Sequence, residues 1–156
     1  MVRYKIKIRQ GTISDIKLWM ELVDKVKDIF PGLETKEALD EHRNTVLEFI
    51  DREEALCADV DVKIVGILLF SKELNKLCFL AVDSDYRRQH IAFQLVTKMY
   101  SYLNLAKDIS LETHVEGVPE GVAARCFYKK LGFQEGIIKE EFGSLVQKFI
   151  LPKREL

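Results

Sequence analysis

The twenty residues from Leu77 to Val96 constrain this chain most. Leu77-Cys78-Phe79-Leu80-Ala81-Val82 is an apolar run of strand length. Asp83-Ser84-Asp85 is a polar turn, Tyr86-Arg87-Arg88-Gln89-His90 a cationic entry, and Ile91 onward an amphipathic helix. A strand that feeds a helix N-terminus makes an anion site. The first-turn amides there lack partners, and the helix dipole adds positive potential. Arg87 and Arg88 stand where that field points. Cations at that end oppose the dipole unless an anion is bound, so their placement argues for a phosphate-bearing ligand over a merely solvated helix start.

The rest of the chain alternates in type. Arg3 to Arg9 puts Tyr4, Ile6 and Ile8 on one face and cations on the other, as in a half-buried edge strand. Thr12 and Asp15 form a capping box before a helix carrying Ile16, Trp19, Met20, Val23 and Val26, with Trp19 a packing residue. Phe30-Pro31-Gly32 stops it. The segment Ile29 to Glu34 is either plain connection or the wall of a substrate cleft. Thr35 opens a second helix that ends near Asp51 to Glu54, and His42 on it reads as surface.

Ala55–Val60 and Lys63–Phe70 are strands joined at Asp61 by a turn without the Asn-Gly signal, which predicts an open geometry. Gly66 in mid-strand marks a bulge or a close backbone contact. Lys76–Val82 is the next strand, and an apolar helical stripe from Ile91 reaches Leu103. Ile109–Val115 alternates as a strand. Ala124, Phe127, Tyr128 and Leu131 make a short helix closed by Gly132, and Phe127 is the better core residue of its aromatic pair. Phe133–Ile138 and Leu145–Leu151 finish the chain as strands, with Glu140–Ser144 between them. The exposed last strand predicts an edge on which a second copy could pair as a homodimer. The order of elements implies an α/β (α+β) mixed sheet with helices on its faces.

A length of 156 residues suits one domain over 1–156, and a net charge of -1 gives no global attraction to nucleic acid or to anionic membrane. Cys57, Cys78 and Cys126 are odd in number and far apart, so neither a zinc site nor a disulfide framework is expected; Cys57 and Cys78 read as small core hydrophobes. Met1 to Ile6 lacks the apolar core of a signal peptide and no apolar run approaches membrane-spanning length, so a reducing cytoplasm is expected.

Two segments carry a family resemblance. Val82-Asp83-Ser84-Asp85-Tyr86-Arg87-Arg88-Gln89-His90-Ile91-Ala92 resembles the acetyl-CoA signature Gln/Arg-x-x-Gly-x-Gly/Ala of the GNAT (GCN5-related) N-acetyltransferase superfamily. Ala124-Arg125-Cys126-Phe127-Tyr128-Lys129-Lys130-Leu131-Gly132-Phe133 is close to that superfamily's Ala-x-x-Phe-Tyr-x-x-x-Gly-Phe. With the element order, the resemblance covers essentially the whole chain. It implies a mostly antiparallel sheet of about seven strands with four helices. Three departures stand out: His90 replaces the signature's central glycine and Arg88 fills a variable position where glycine is also usual, Ser84 replaces the common proline, and Gly121 stands for an asparagine. Glycine in the first signature lets a pyrophosphate approach the backbone closely.

The resemblance further implies acetyl-CoA as co-substrate, no metal, and a primary amine of a small molecule or protein as acceptor. Leu80, Ala81 and Val82 would hold the pantetheine arm, and one N–H near Val82 would polarise the thioester. Arg87, Arg88, Gln89, His90, Ile91 and Ala92 would wrap the pyrophosphate, with Phe127 also at the coenzyme. Lys130 either approaches the nucleotide end or is a solvated lysine. Tyr128 is the expected general acid toward the departing sulfur, since a phenol with an ordinary pKa of about 10 stays protonated. The base stays open among His114, Glu112 and water. His114 and Glu112 share one face of their strand. A binding module with a degraded signature is the alternative to an enzyme. A nucleotide-binding domain unrelated to CoA lacks its Gly-x-Gly-x-x-Gly or Walker pattern.

Overall fold

A computed structural model describes residues 5–141 and 143–154. Strand β1 (Lys7–Gln10) leads into helix α1 (Ile16–Val26) and helix α2 (Lys36–Asp51). Strands β2 (Ala55–Val60), β3 (Lys63–Ser71) and β4 (Lys76–Val82) follow, then helix α3 (Ile91–Tyr100) and strand β5 (Ile109–His114). Helix α4 (Val122–Lys130) and strands β6 (Gln134–Glu141) and β7 (Ser144–Leu151) close the chain. The Thr12–Asp15 capping box forms, and Gly132 ends α4 at φ +101°. Of the predicted first strand, Lys7 to Arg9 lie in β1, while Arg3 and Tyr4 fall outside the described residues.

The seven strands lie in the order β1-β2-β3-β4-β5-β7-β6, and every neighbouring pair is antiparallel except β4 with β5. The sheet separates two cores. One face packs under α3 and α4, with Leu56, Leu68, Phe70, Leu95, Met99, Leu111, Tyr128 and Phe149 buried together. The other packs under α1 and α2, around Trp19, Val23, Val46, Ile67 and Leu69. Trp19 is fully buried, as its spacing requires. No helix among the described residues is long and apolar enough to cross a membrane.

Several expectations need correction. The last strand is not an edge: β7 lies between β5 and β6, and β6 takes the edge with Ile137 and Ile138 exposed. The Val60–Lys63 connection is a tight two-residue hairpin, with Asp61 and Val62 both at positive φ (47° and 58°). Helix α3 stops at Tyr100, before Tyr102 and Leu103, which still pack against the core. Cys78 is exposed. Leu69 faces Phe79 while Phe70 faces Leu77, so Cys78 is the extra residue of a bulge and leaves the inward alternation. His42 is half-buried, its ring 4.9 Å from that of Phe79, with Nε2 sealed and unpartnered among the described residues. Burial lowers its pKa, keeping it neutral.

Gly66 fulfils both predictions made for it. The β2–β3 register shifts beside it, and a Cβ there would meet Ile91 Cγ2 at 2.6 Å. The lack of a side chain lets the start of α3 sit directly on β3.

Candidate functional site

The two parallel strands in the middle of the sheet meet at one rung, Lys76 with Ser110. Beyond it, β4 continues to Val82 and β5 to His114 with no further pairing among the described residues, so the strands splay apart. Asn75 fixes the narrow end. It is buried, its amide Nδ2 donates to the carbonyls of Asn104 (2.9 Å) and Asp108 (3.1 Å), and its Oδ1 accepts from Asn104 N–H (2.9 Å). Leu80, Ala81 and Val82 occupy the wide end on β4. His114 ends β5 on the other side of the opening. One side of each strand there lacks the ladder partners that interior strands have.

At the open end of β4 the chain turns through Asp83–His90 into α3. Arg88 (φ 65°) and His90 (φ 58°) both adopt the left-handed backbone that glycine would take freely. The residue types depart from the signature, yet both positions hold a backbone that glycine takes readily. None of the backbone amides of Arg88, Gln89, His90 and Ile91 donates a hydrogen bond among the described residues. Alternating left-handed residues with free amides make a concave nest for an anion, here at the N-terminus of a ten-residue helix. Arg87, Arg88 and His90 are exposed around it, Ala92 and Gln89 half-buried, and Ile91 buried beneath.

The remaining predicted residues divide between the two faces of the sheet. Tyr128 lies on the α3 face, 6% exposed, with its ring against Phe127, Phe133 and Phe149. Burial raises its pKa, so the phenol stays protonated and able to donate. It is Tyr128, not Phe127, that is the buried member of the pair; Phe127 is half-buried. Lys130 is exposed at the end of α4.

Glu112 and His114 share the opposite face, as their spacing predicts, because Ile109 and Leu111 point to the α3 side. Glu112 is not free: Lys76 Nζ lies 2.6 Å from one carboxylate oxygen and Lys139 Nζ 2.9 Å from the other. Burial pushes its pKa up, but the two lysines outweigh that and hold it ionised below its ordinary value. His114 Nε2 is 2.7 Å from the carbonyl oxygen of Ile29. A carbonyl only accepts, so Nε2 carries a proton, and in the neutral ring Nδ1 is the acceptor. Gly121 explains itself here, since a Cβ at that position would overlap the His114 side chain.

The Ile29–Glu34 segment walls this face. Besides the Ile29 contact, Phe30 stacks on Phe79 of β4 with ring centroids 4.4 Å apart. Sequence reasoning did not single out the polar residues that hold the site. Lys25 of α1 donates to Asp83 Oδ1 (2.7 Å) and Asp85 Oδ2 (2.8 Å). Arg125, 6% exposed, donates to the His114 carbonyl, to Gln147 and to Glu135, each at 2.8 Å. Asp83-Ser84-Asp85 carries the pattern of a capped turn, which was the one available signal; Asp83 accepts from Asp85 N–H at 2.9 Å.

A family model described as an acetyltransferase (GNAT) domain matches residues 51–135, more than half of the chain and all of the splay and its loop. The chain belongs to the GNAT acetyltransferase family. Solved structures similar over nearly the full length include a GNAT-family acetyltransferase of Bacillus cereus (18% identity, 97% of this chain and 99% of that one, TM-score 0.70). The ribosomal-protein-S18-alanine N-acetyltransferase of Escherichia coli is similar too (17% identity, 97% and 96%, TM-score 0.71). So is the PaiA N-acetyltransferase of Thermoplasma acidophilum, solved in complex with coenzyme A (18% identity, 92% and 98%, TM-score 0.68). At these identities the likeness is one of fold. A comparison with curated protein sequences gave no match.

Proposed function

We propose that the chain acts as one unit, an N-acetyltransferase that moves the acetyl group of acetyl-CoA directly to a primary amine. The observation that carries this reading is the run of undonated amides from Arg88 to Ile91, placed at the end of a strand that has lost its neighbour. The pyrophosphate would sit in that nest, with Arg87 and Arg88 exposed beside it. The pantetheine arm would lie as an extended chain along Leu80–Val82, taking the backbone positions that β5 leaves empty. The coenzyme A complex of the Thermoplasma acidophilum protein supports the choice of ligand.

The two faces of the sheet support a division of the chemistry. The amine would approach from the α1–α2 side, past Phe30 and Phe79, and attack the thioester carbonyl, which an N–H near Val82 polarises. His114, as a neutral ring with Nδ1 the acceptor, would take the amine proton directly or through water. Glu112, with a lysine on each oxygen, serves better to hold the charge of Lys76 and Lys139. Tyr128, kept protonated on the opposite side, would donate to the departing sulfur. The acceptor's identity, small molecule or protein, would be set by the segments Ile29–Glu34, Glu116–Gly121 and Glu140–Ser144.

Calorimetry with acetyl-CoA, followed by thiol release across an amine panel, tests the reading. Saturable binding with turnover is expected; no binding would end it. Binding without turnover on any amine would favour a CoA-binding module instead. Tyr128→Phe should lower kcat by roughly 100-fold with CoA affinity unchanged, and unchanged kcat would remove Tyr128 from the mechanism.

A further inference from the structure

The loop that presents the amides carries two strained residues and no glycine. A left-handed backbone costs an ordinary L-residue about 1 kcal/mol or more, and such residues persist where the surroundings over-determine them. What determines this loop is Asp83, which is 1% exposed. Its N–H donates to Val65 O (2.8 Å), tying the loop to β3. Its own carbonyl and carboxylate accept from the Tyr86 and Asp85 amides (both 2.9 Å), winding the turn. That buried carboxylate is answered by Lys25, reaching from α1 at 2.7 Å and bridging on to Asp85 at 2.8 Å. Lys63 stands farther off, at 3.9 Å from the other oxygen. Without Lys25 the carboxylate would be nearly unpaired in a desolvated position, which favours a rearranged loop.

We propose that Lys25 is a positioning residue for this loop. Its ion pair with Asp83 holds Arg88 and His90 in the backbone that exposes the amides, doing by charge what glycine would do by conformational freedom. The inference rests on the acetyl-CoA reading of the loop. It makes α1 a shared support, because the same segment delivers Lys25 to the phosphate side and, a turn later, the Ile29 carbonyl to His114 on the acceptor side.

Titration calorimetry with CoA tests this on four proteins: wild type, Lys25→Met, Lys25→Arg, and Lys25→Met combined with His90→Gly. If the unpinned loop spends about a tenth of its time in the competent form, Lys25→Met weakens CoA about tenfold. Lys25→Arg should stay near wild type. Adding His90→Gly to Lys25→Met should recover part of the loss, since glycine takes the left-handed form unaided; a merely structural lysine would not respond in this way. Equal affinity of wild type and Lys25→Met overturns the proposal, as does a loss that His90→Gly leaves unmoved. Lys25→Gln, which keeps a polar tip on a shorter stem, takes the place of Lys25→Met should the latter not fold. Failure of the wild type to bind CoA overturns the acetyl-CoA reading itself, a distinct result.

Discussion

Two segments flank the site, and they are held by different physics. The loop Asp83–His90 stands at the surface and is pinned by a charge pair whose lysine is 41% exposed. The α4–β6 corner, Val122 to Glu135, is pinned from inside by Arg125 of α4, whose guanidinium lies 4.9 Å from the centre of the Phe149 ring and donates to the His114 carbonyl, Gln147 and Glu135. Both segments match family motifs, yet only the corner keeps the motif's residues nearly intact. A corner built on close packing tolerates little change in its parts. A loop that needs only a backbone shape can reach it with other residues, provided something else holds the shape.

The comparison is broken most easily at the corner. Arg125→Ala leaves Gln147 and the His114 carbonyl without their donor, while Glu135 keeps Lys129, and should cost about 2–4 kcal/mol. That is a fall in thermal midpoint on the order of 10 °C. A loss under about 1 kcal/mol would mean that packing alone holds the corner.

Acid separates the regions next. Burial pushes the Asp83 pKa up, but Lys25 and the Asp85 amide outweigh it and leave the folded value below the ordinary one. A carboxyl lowered on folding contributes stability that is present above its unfolded value, about 3.9, and lost as pH falls through the folded value. The loop's pin should therefore loosen only below about pH 4. Arg9–Asp15, at the far edge, follows the same sign: the hydrogen bonds from Arg9 lower Asp15 to about 2. Its contribution, on the order of 2 kcal/mol, should vanish between about pH 4 and pH 2. Urea midpoints measured down that range should fall less steeply in Lys25→Met and in Asp15→Asn than in wild type. An unaltered slope in Lys25→Met would say that Asp83 is not charged in the fold.

The smallest expected effect is the most pointed. His90→Gly alone relieves one left-handed residue but loosens the unfolded chain, so stability should change by less than about 1 kcal/mol. CoA affinity should stay within a few-fold of wild type. A large loss of affinity would show that the imidazole itself touches the ligand, and that the loop's likeness to a glycine loop is only geometric.

Much of the fold was legible because it rests on local rules. Period and punctuation placed the helices and strands, the Thr12–Asp15 box started α1, and Gly132 stopped α4. Strand order was not legible, since the insertion of β7 between β5 and β6 depends on pairing that alternation does not encode. The bulge at Cys78 shifts the inward pattern by one residue, which no composition signal announces. Left-handed Val62 and Arg88 contradict residue preference and are imposed from outside. The site divided in the same way. Its backbone frame and Tyr128 came from motif, while Lys25 and Asp83 lie 58 positions apart and meet only through the fold.

The splay between β4 and β5 has a consequence for what the protein admits. An unpaired strand is ordinarily a hazard at the rim of a sheet, where any passing chain can add to it. Here the unpaired stretch lies between two strands of the same sheet, with Asn75 closing one end. Whatever pairs with this stretch must offer an extended edge of its own to the free backbone of β4, so the opening favours a ligand with a long, linear, hydrogen-bonding arm.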